Sequence, residues 1–238
     1  MCERVTNSVG MIFIRVSAGS FLMVSPEKEF NRFSDERQFR VTIRRPFYVG
    51  TTTVTNSQYR TVLAKAEKTD HPDKPQTGVT WDDAVEFCQR LSELAVEQAS
   101  GRRYRLPTEA EWEFACRAGS SAAFCCGDQS DCVLNYARCH ENASGELATV
   151  GLYQPNEWGL YDMHGNVWEW VSDWYGPYPT TDGFDPTGPA KGEQKVVRGG
   201  CYDSVANNCR AALRVQLDQA DHTVYVGFRV VLLTDANK

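Results

Sequence analysis

The sequence predicts an α+β fold in which short helices and short strands are combined with much irregular structure. In the first half of the chain, strand-like apolar runs are followed by segments that carry helix-start signals. Residues 120–195 are dense in Gly, Pro, Asn and aromatic residues, and strand-like runs return near the C-terminus. The chain has 238 residues, of which 42% are hydrophobic, enough for one sizeable core. We therefore expect a single domain over residues 10–238, preceded by an N-terminal tail, residues 1–9.

Four strands are predicted in the N-terminal part of the chain. They cover residues 11–16, 20–24, 40–43 and 47–49. The first two flank Ser17-Ala18-Gly19, which predicts a β-hairpin. Residues 26–38 are polar and charged, and we expect a loop there. Further strands are predicted at residues 195–198 and 226–233.

Three helices are predicted from their capping residues. Capping signals stand at Thr55 with Gln58, at Thr80, and at Thr108 with Glu111. The second helix is expected over residues 81–94, because its apolar residues recur at helical spacing. The third is expected to stop at Gly119.

Charge and hydropathy exclude two classes of partner. The net charge of the chain is −6. The basic residues are scattered along the sequence and do not form the cluster that nucleic-acid binding requires. No apolar run is long enough to span a membrane. Cys2 directly follows Met1, and mature bacterial lipoproteins begin at a lipidated cysteine. We therefore expect membrane attachment only through a lipid at Cys2, with display on a bacterial cell surface; the alternative is a plain cysteine in a frayed tail.

Five thiol and imidazole side chains are clustered in the middle of the chain. They are Cys125, Cys126, Cys132, Cys139 and His140. The cluster lacks the CxxC spacing that zinc sites favour. Disulfides or free thiols are therefore the favoured interpretation, and zinc is the alternative.

Several stretches together resemble the formylglycine-generating-enzyme, or sulfatase-modifying-factor, family. They are residues 10–14, 18–21, 46–50, 54–56, 104–113, 156–163, 165–170, 198–200 and 227–229. The blocks RLPTEAEWE and GNVWEW are the most specific, and all stretches occur in the family's order. The resemblance implies a C-type-lectin-like fold of the formylglycine-generating-enzyme type.

Family membership alone does not imply oxidase activity. The family's enzymes oxidise a substrate cysteine to formylglycine with two cysteines that follow the Arg-Gly-Gly segment and bind copper. Aligned on Arg198-Gly199-Gly200, this chain has Ser204 and Cys209 at those positions. Aligned on Arg214 and Gly227, it has Cys201 and Ala206 at the two catalytic positions. Neither alignment keeps both thiols, so we expect no copper and no enzymatic activity, with a formylglycine-generating thiol oxidase as the alternative.

The resemblance also implies a structural calcium ion. Family members place it in the loop before and within the GNVWEW block, and the corresponding residues are Asp162, Gly165, Val167 and Glu169. Two carboxylates and two backbone carbonyls from one tight loop are oxygen ligands suited to calcium. The alternative is that Asp162 and Glu169 accept hydrogen bonds from backbone amides and arginines.

Residues 198–229 form a candidate variable region. Non-enzymatic family members are rich in asparagine here, between a frame of shared residues. This chain has other residues where asparagine is usual and keeps the frame, which consists of Arg198, Gly199, Gly200, Cys209, Arg210, Arg214, Gly227, Phe228 and Arg229. The replaced positions are Tyr202, Asp203, Ser204, Val205, Leu213, Val215, Leu217, Asp218, Asp221, Thr223, Val224 and Tyr225. Each of these residue types has a codon that differs from AAC only in its first two bases, which is the result of adenine-directed mutagenesis. The pattern resembles the variable proteins of diversity-generating retroelements.

The sequence thus predicts a surface-displayed binding protein with a variable site for an unknown protein or other macromolecule. Tyr202 and Tyr225 are the expected anchors, because buried aromatic side chains dominate binding energies. All the candidate variable positions except Val205 are expected to form one exposed patch, on a buried frame of Cys209, Arg210, Arg214 and Phe228. A structural paralogue with an ordinary surface loop is the remaining alternative.

Overall fold

The computed structural model describes residues 3–65 and 69–234, and it has the predicted mixture of helices and strands. The strands are β1 (Arg4–Thr6), β2 (Ile12–Val16), β3 (Gly19–Met23), β4 (Phe39–Ile43), β5 (Phe47–Gly50), β6 (Arg103–Arg105), β7 (Trp168–Trp174), β8 (Gly183–Phe184), β9 (Lys195–Arg198), β10 (Arg214–Leu217), β11 (Val226–Phe228) and β12 (Val231–Leu233). The helices are α1 (Asn56–Val62), α2 (Trp81–Glu93), α3 (Ala95–Ala99), α4 (Glu109–Arg117) and α5 (His140–Ala143), with 3₁₀ turns at Ser130–Asn135 and Ala206–Asn208.

The predicted capping signals begin α1, α2 and α4. The Thr55 hydroxyl accepts the Gln58 amide, and the Gln58 side chain accepts the Thr55 amide in return. Thr108 and Glu111 form the same reciprocal box in front of α4. That helix ends at Arg117 because Ala118 adopts a left-handed conformation, just before the predicted stop. No helix among the described residues is long and apolar enough to cross a membrane.

Across the described residues, the strands form three sheets with the orders β1-β2-β5-β12-β6, β10-β9-β7-β11 and β3-β4-β8. The predicted hairpin between β2 and β3 is wrong, because the two strands belong to different sheets. Residues 17–19 instead carry the chain from one sheet to the other. The predicted tail is also wrong in part, since Arg4–Thr6 pair with Ile12–Ile14 as the first strand. Cys2 lies outside the described residues.

The C-terminal apolar run joins two sheets. A single strand was expected at residues 226–233, but β11 pairs with β7 and β12 pairs with β5 and β6. Between them, the backbone of residues 229–230 changes sheet. The side chain of Arg229 is thereby buried at the junction.

Two large apolar clusters form the core. One contains Trp112 and the inner faces of β2, β3, β4 and β5. The other contains Trp170 and Phe228, and the Phe228 ring lies 5.2 Å from that of Phe87 and 6.3 Å from that of Tyr59. This second cluster lies beneath the candidate variable region, since Leu217 and Trp168 pack against its edge.

We expect Phe228→Ala to reduce the free energy of unfolding by about 3–5 kcal/mol, because it leaves a cavity among aromatic rings. The matched control is Val224→Ala, whose side chain is 57% exposed and should change stability by no more than about 0.5 kcal/mol. Chemical denaturation of both variants measures the difference. Equal effects would show that Phe228 is not a core residue.

Candidate functional site

The backbone of the candidate variable region is held by buried arginines, of which Arg198 is fully buried. Its guanidinium donates hydrogen bonds to the carbonyls of Ala211, Ala212 and Leu213 at 2.7–2.8 Å, and to the carboxylate of Glu113 on α4. Three consecutive carbonyls therefore share one donor group. The path of the chain into β10 is fixed by this arrangement rather than by side chains of the region itself.

Arg210 and Arg229 hold the region at two further points. Arg210 donates to both carboxylate oxygens of Glu36, at 2.8 and 2.9 Å, which fastens the loop of residues 26–38. Arg229 binds Glu169 through two hydrogen bonds of 2.6 Å. Charge-assisted pairs with two parallel bonds are the strongest hydrogen bonds that side chains form.

The candidate variable positions lie largely at the surface. Eleven of the twelve are exposed or partly exposed, namely Tyr202, Asp203, Ser204, Val205, Val215, Leu217, Asp218, Asp221, Thr223, Val224 and Tyr225. The four frame residues Cys209, Arg210, Arg214 and Phe228 are buried, as expected. Leu213 is a correction: it is only 4% exposed, because Arg198 binds its carbonyl and draws this residue inward.

Six of the candidates surround one shallow groove of about 270 Å³. They are Asp203, Ser204, Val215, Leu217, Thr223 and Tyr225. The groove runs across one face of the sheet β10-β9-β7-β11 and has lining residues from all four strands. Candidate residues that are distant in sequence therefore meet in it. The rings of Tyr202 and Tyr225 lie 5.5 Å apart, so the two expected anchors are in contact.

Sequence reasoning missed the floor of this groove. Trp168, Val197, Cys201 and Val226 line it together with the candidate residues. Trp168 lies on β7, within a stretch that was expected to be irregular, and is paired with Val226 on β11. The alternation of aromatic residues in Trp168-Glu169-Trp170 was the available signal for a strand.

The thiols near the groove are not arranged as an exposed pair. Cys209 is fully buried, and burial raises the pKa of its thiol well above the usual value. Gly200 fits beside it only because it lacks a side chain, since a Cβ atom there would lie 2.5 Å from the Cys209 sulfur. Cys201 is also buried, with its sulfur 3.3 Å from the Ser204 hydroxyl.

Of the two carboxylates expected to ligate calcium, that of Glu169 is occupied by protein donors, whereas that of Asp162 is only partly occupied. Both carboxylate oxygens of Glu169 accept hydrogen bonds from Arg229, and one of them also accepts the indole N–H of Trp112 at 2.8 Å. One oxygen of Asp162 accepts the Gly151 amide, whereas the other is buried without a partner. The Gly165 carbonyl accepts the Val167 amide. The alternative of amide and arginine partners therefore describes Glu169 and one oxygen of Asp162.

His164 fastens the same loop to the variable region. Its Nε2 accepts the Cys125 amide at 3.0 Å, so its Nδ1 carries the proton and donates to the Cys209 carbonyl at 2.8 Å. Burial lowers the pKa of His164 to about 4, so the ring is neutral in the folded protein. Its role is structural, because both ring nitrogens are used within the protein.

The cysteine cluster contains a disulfide. Cys126 and Cys132 are bonded to each other, whereas Cys125 and Cys139 are free thiols. Among residues 3–65 and 69–234, no group of three or more His, Cys, Asp or Glu side chains is arranged to hold a metal ion. The disulfide accounts for two members of the cluster.

Comparison with known sequences identifies a family. The sequence profile of the sulfatase-modifying factor enzyme 1-like domain matches residues 3–233. The formylglycine-generating enzyme of Streptomyces coelicolor is 36% identical over 183 residues, which cover 70% of this chain and 55% of that protein. The chain thus spans about half the length of that relative.

Two solved structures match nearly the whole fold. PvdO from Pseudomonas aeruginosa superposes with a TM-score of 0.83 at 25% identity, over 97% of each chain. Variable protein 1 of Treponema denticola superposes with a TM-score of 0.82 at 25% identity, over 96% of this chain and 98% of that one. These matches confirm the C-type-lectin-like fold that the sequence predicted.

We expect Glu169→Ala to cost about 3–5 kcal/mol of stability, because it leaves the buried Arg229 guanidinium without its carboxylate. Calcium added to chelated wild-type protein should leave the melting temperature unchanged. Differential scanning calorimetry measures both effects, with Glu157→Ala, a surface carboxylate, as the control. A melting temperature that rises with calcium concentration would restore the ion to this loop.

Proposed function

This chain belongs to the family of sulfatase-modifying factor enzyme 1-like domains, and we propose that within this family it is a surface-displayed binding protein with a sequence-variable ligand site. One observation carries the proposal. Within the candidate variable region, eleven of the twelve side chains that depart from the family frame are exposed or partly exposed, and six of them line one groove, while the frame side chains are buried. A site that changes in sequence needs this separation, because surface substitutions cost little stability and core substitutions cost several kcal/mol.

The chemistry of the groove suits a macromolecular ligand. Tyr225, Val215 and Leu217 offer apolar contact area, and Asp203 and Ser204 supply directional hydrogen bonds. Mixed surfaces of this kind, with aromatic side chains on a rigid scaffold, are typical of loop-based binders. The groove is shallow, which favours a protein or other extended surface over an enclosed small molecule.

The similarity to variable protein 1 of Treponema denticola supports variability as the purpose of this region. We therefore propose that a retroelement diversifies residues 198–229, and that a lipid at Cys2 anchors the protein at the cell surface. The gene should then be accompanied by a near-identical template repeat and a reverse transcriptase gene. Sequencing of the flanking DNA tests this. Absence of both the template repeat and the reverse transcriptase gene would reject diversification.

The thiol chemistry supports a binding role over an oxidase role. The family's enzymes need two reactive cysteines close together, and thiolates are the form that binds copper. Here Cys209 is buried and its thiol is held neutral by its surroundings, so Cys201 is the cysteine that borders the groove. We propose that the chain has no enzymatic activity and binds no copper.

We expect a library that randomises Tyr202, Leu217 and Tyr225 to fold nearly as often as the parent protein, because none of these side chains is buried and only Leu217 touches the edge of the core. Display on yeast with a protease challenge measures the folded fraction. A matched library at Cys209, Arg210 and Phe228 should lose most folded clones. Equal losses in the two libraries would refute a tolerant surface.

Binding itself is tested by selecting a larger library against a purified model protein such as lysozyme. The library randomises all eleven exposed candidate positions, and we expect binders whose affinity is lost on reversion of the selected residues. A control library of the same size on the exposed surface of α2 and α3 should give fewer binders. A ratio of one between the two libraries would contradict a dedicated site.

We expect no formylglycine when the copper-treated protein is incubated with a sulfatase-type cysteine peptide, because neither family alignment retains both thiols. Mass spectrometry of the peptide measures conversion, with the Streptomyces coelicolor enzyme as the positive control. Repeated turnover by this chain would establish the oxidase alternative instead.

A further inference from the structure

A second cavity of about 400 Å³ lies next to the first groove, on the other side of β10. Arg214 lines this cavity, and its neighbour Val215 lines the groove, because successive strand residues point to opposite faces. The walls include Phe39, Trp174, Tyr178 and Phe184, together with prolines of the loop that follows β7. Its lining contains none of the candidate variable positions.

One buried carboxylate at this cavity has no cationic partner among residues 3–65 and 69–234. Asp173 is 3% exposed, and one of its oxygens accepts the Glu109 amide and the Ser172 hydroxyl, both at 2.9 Å. No lysine, arginine or histidine in the described part of the chain forms an ion pair with it. A buried carboxylate without a cation either takes up a proton or binds a positively charged partner, so Asp173 at a cavity wall is suited to contact a cationic ligand.

The other charges at the cavity are already balanced. Glu109 lies 3.5 Å from Arg214 and 3.6 Å from Arg198, and accepts the Tyr178 hydroxyl at 2.7 Å. Arg214 also lies 3.6 Å from Asp35. The cavity therefore presents aromatic walls and one buried acidic group without a cation, while the second acidic group, Asp182, is exposed at the rim and accepts the Arg40 amide.

The surroundings of Asp173 disfavour its charged form. Burial, followed by the nearby charge of Glu109 and then that of Glu111, raises the pKa of Asp173 to about 7. Arg105 and Lys195 interact electrostatically with Asp173 over a distance, but neither forms an ion pair with it. Near neutral pH, a cation entering the cavity would therefore stabilise the carboxylate and release a proton.

We propose that this cavity binds an organic ammonium compound, with the ammonium group against Asp173 and an apolar body between the aromatic walls. Three of the four rings already have a protein cation over them, with Lys195 over Trp174, Arg214 over Tyr178 and Arg44 over Phe184. The rings therefore serve as apolar walls, and the Asp173 carboxylate is the group that selects a charged ligand. Concave, mostly apolar sites with few polar groups are typical of small-molecule binding. The proposal is independent of the variable site, because the two cavities have different lining residues.

The test compares phenethylamine with phenethyl alcohol, which has the same apolar body without the charge. By isothermal titration calorimetry near neutral pH, wild-type protein should bind the amine at least ~10-fold more tightly than the alcohol. Asp173→Asn keeps the shape and an oxygen acceptor, and should bind both compounds with the weaker affinity. Asp182→Asn, which removes an exposed carboxylate at the cavity rim, is the control and should keep the amine preference.

Proton release gives a second measurement on wild-type protein. Titrations in two buffers of different ionisation enthalpy should show that amine binding releases a fraction of a proton near about pH 7, whereas alcohol binding releases none. Equal affinity for the two compounds, or an amine preference that survives in Asp173→Asn, would overturn the proposal. If Asp173→Asn does not fold, the wild-type data decide: amine preference with proton release supports the site, and the absence of either rejects it.

Discussion

The fold around the site depends on pairing buried arginines with glutamates from distant parts of the chain. Arg198 binds Glu113, Arg210 binds Glu36, and Arg229 binds Glu169. Each pair joins the C-terminal region to a different element: α4, the loop before β4, and β7. The loss of one partner leaves the other charge buried and uncompensated, which is why such pairs specify one arrangement strongly.

This pairing separates the support of the backbone from the identity of the side chains. Arg198 holds three successive carbonyls, and carbonyls are the same whatever residue carries them. The exposed positions between the arginines therefore carry less of the structural load, although Leu217 packs against the core and the Ser204 hydroxyl accepts the Cys201 amide. Leu213 shows where this freedom ends, since its carbonyl is one of the three and its side chain is buried.

Local signals in the sequence predicted the parts of the fold that depend on neighbouring residues. The capping boxes at Thr55 and Thr108 were read correctly because their hydrogen bonds span only three residues. The hairpin expected after β2 was wrong because sheet membership is decided by distant partners, β5 for one strand and β4 for the other. Which arginine binds Glu169 could not be predicted from the sequence, because Arg229 lies sixty residues away.

The position of β10 at the edge of its sheet would limit how far the proposed variable site can vary. An edge strand leaves one row of backbone groups unpaired, and its outward residues Val215 and Leu217 are already apolar. Variants with further β-branched or aromatic residues here would fold as well as the parent. Their exposed edge strand, however, could pair with that of another copy and cause aggregation. Selection for solubility, rather than for stability, would then set the boundary of the usable repertoire.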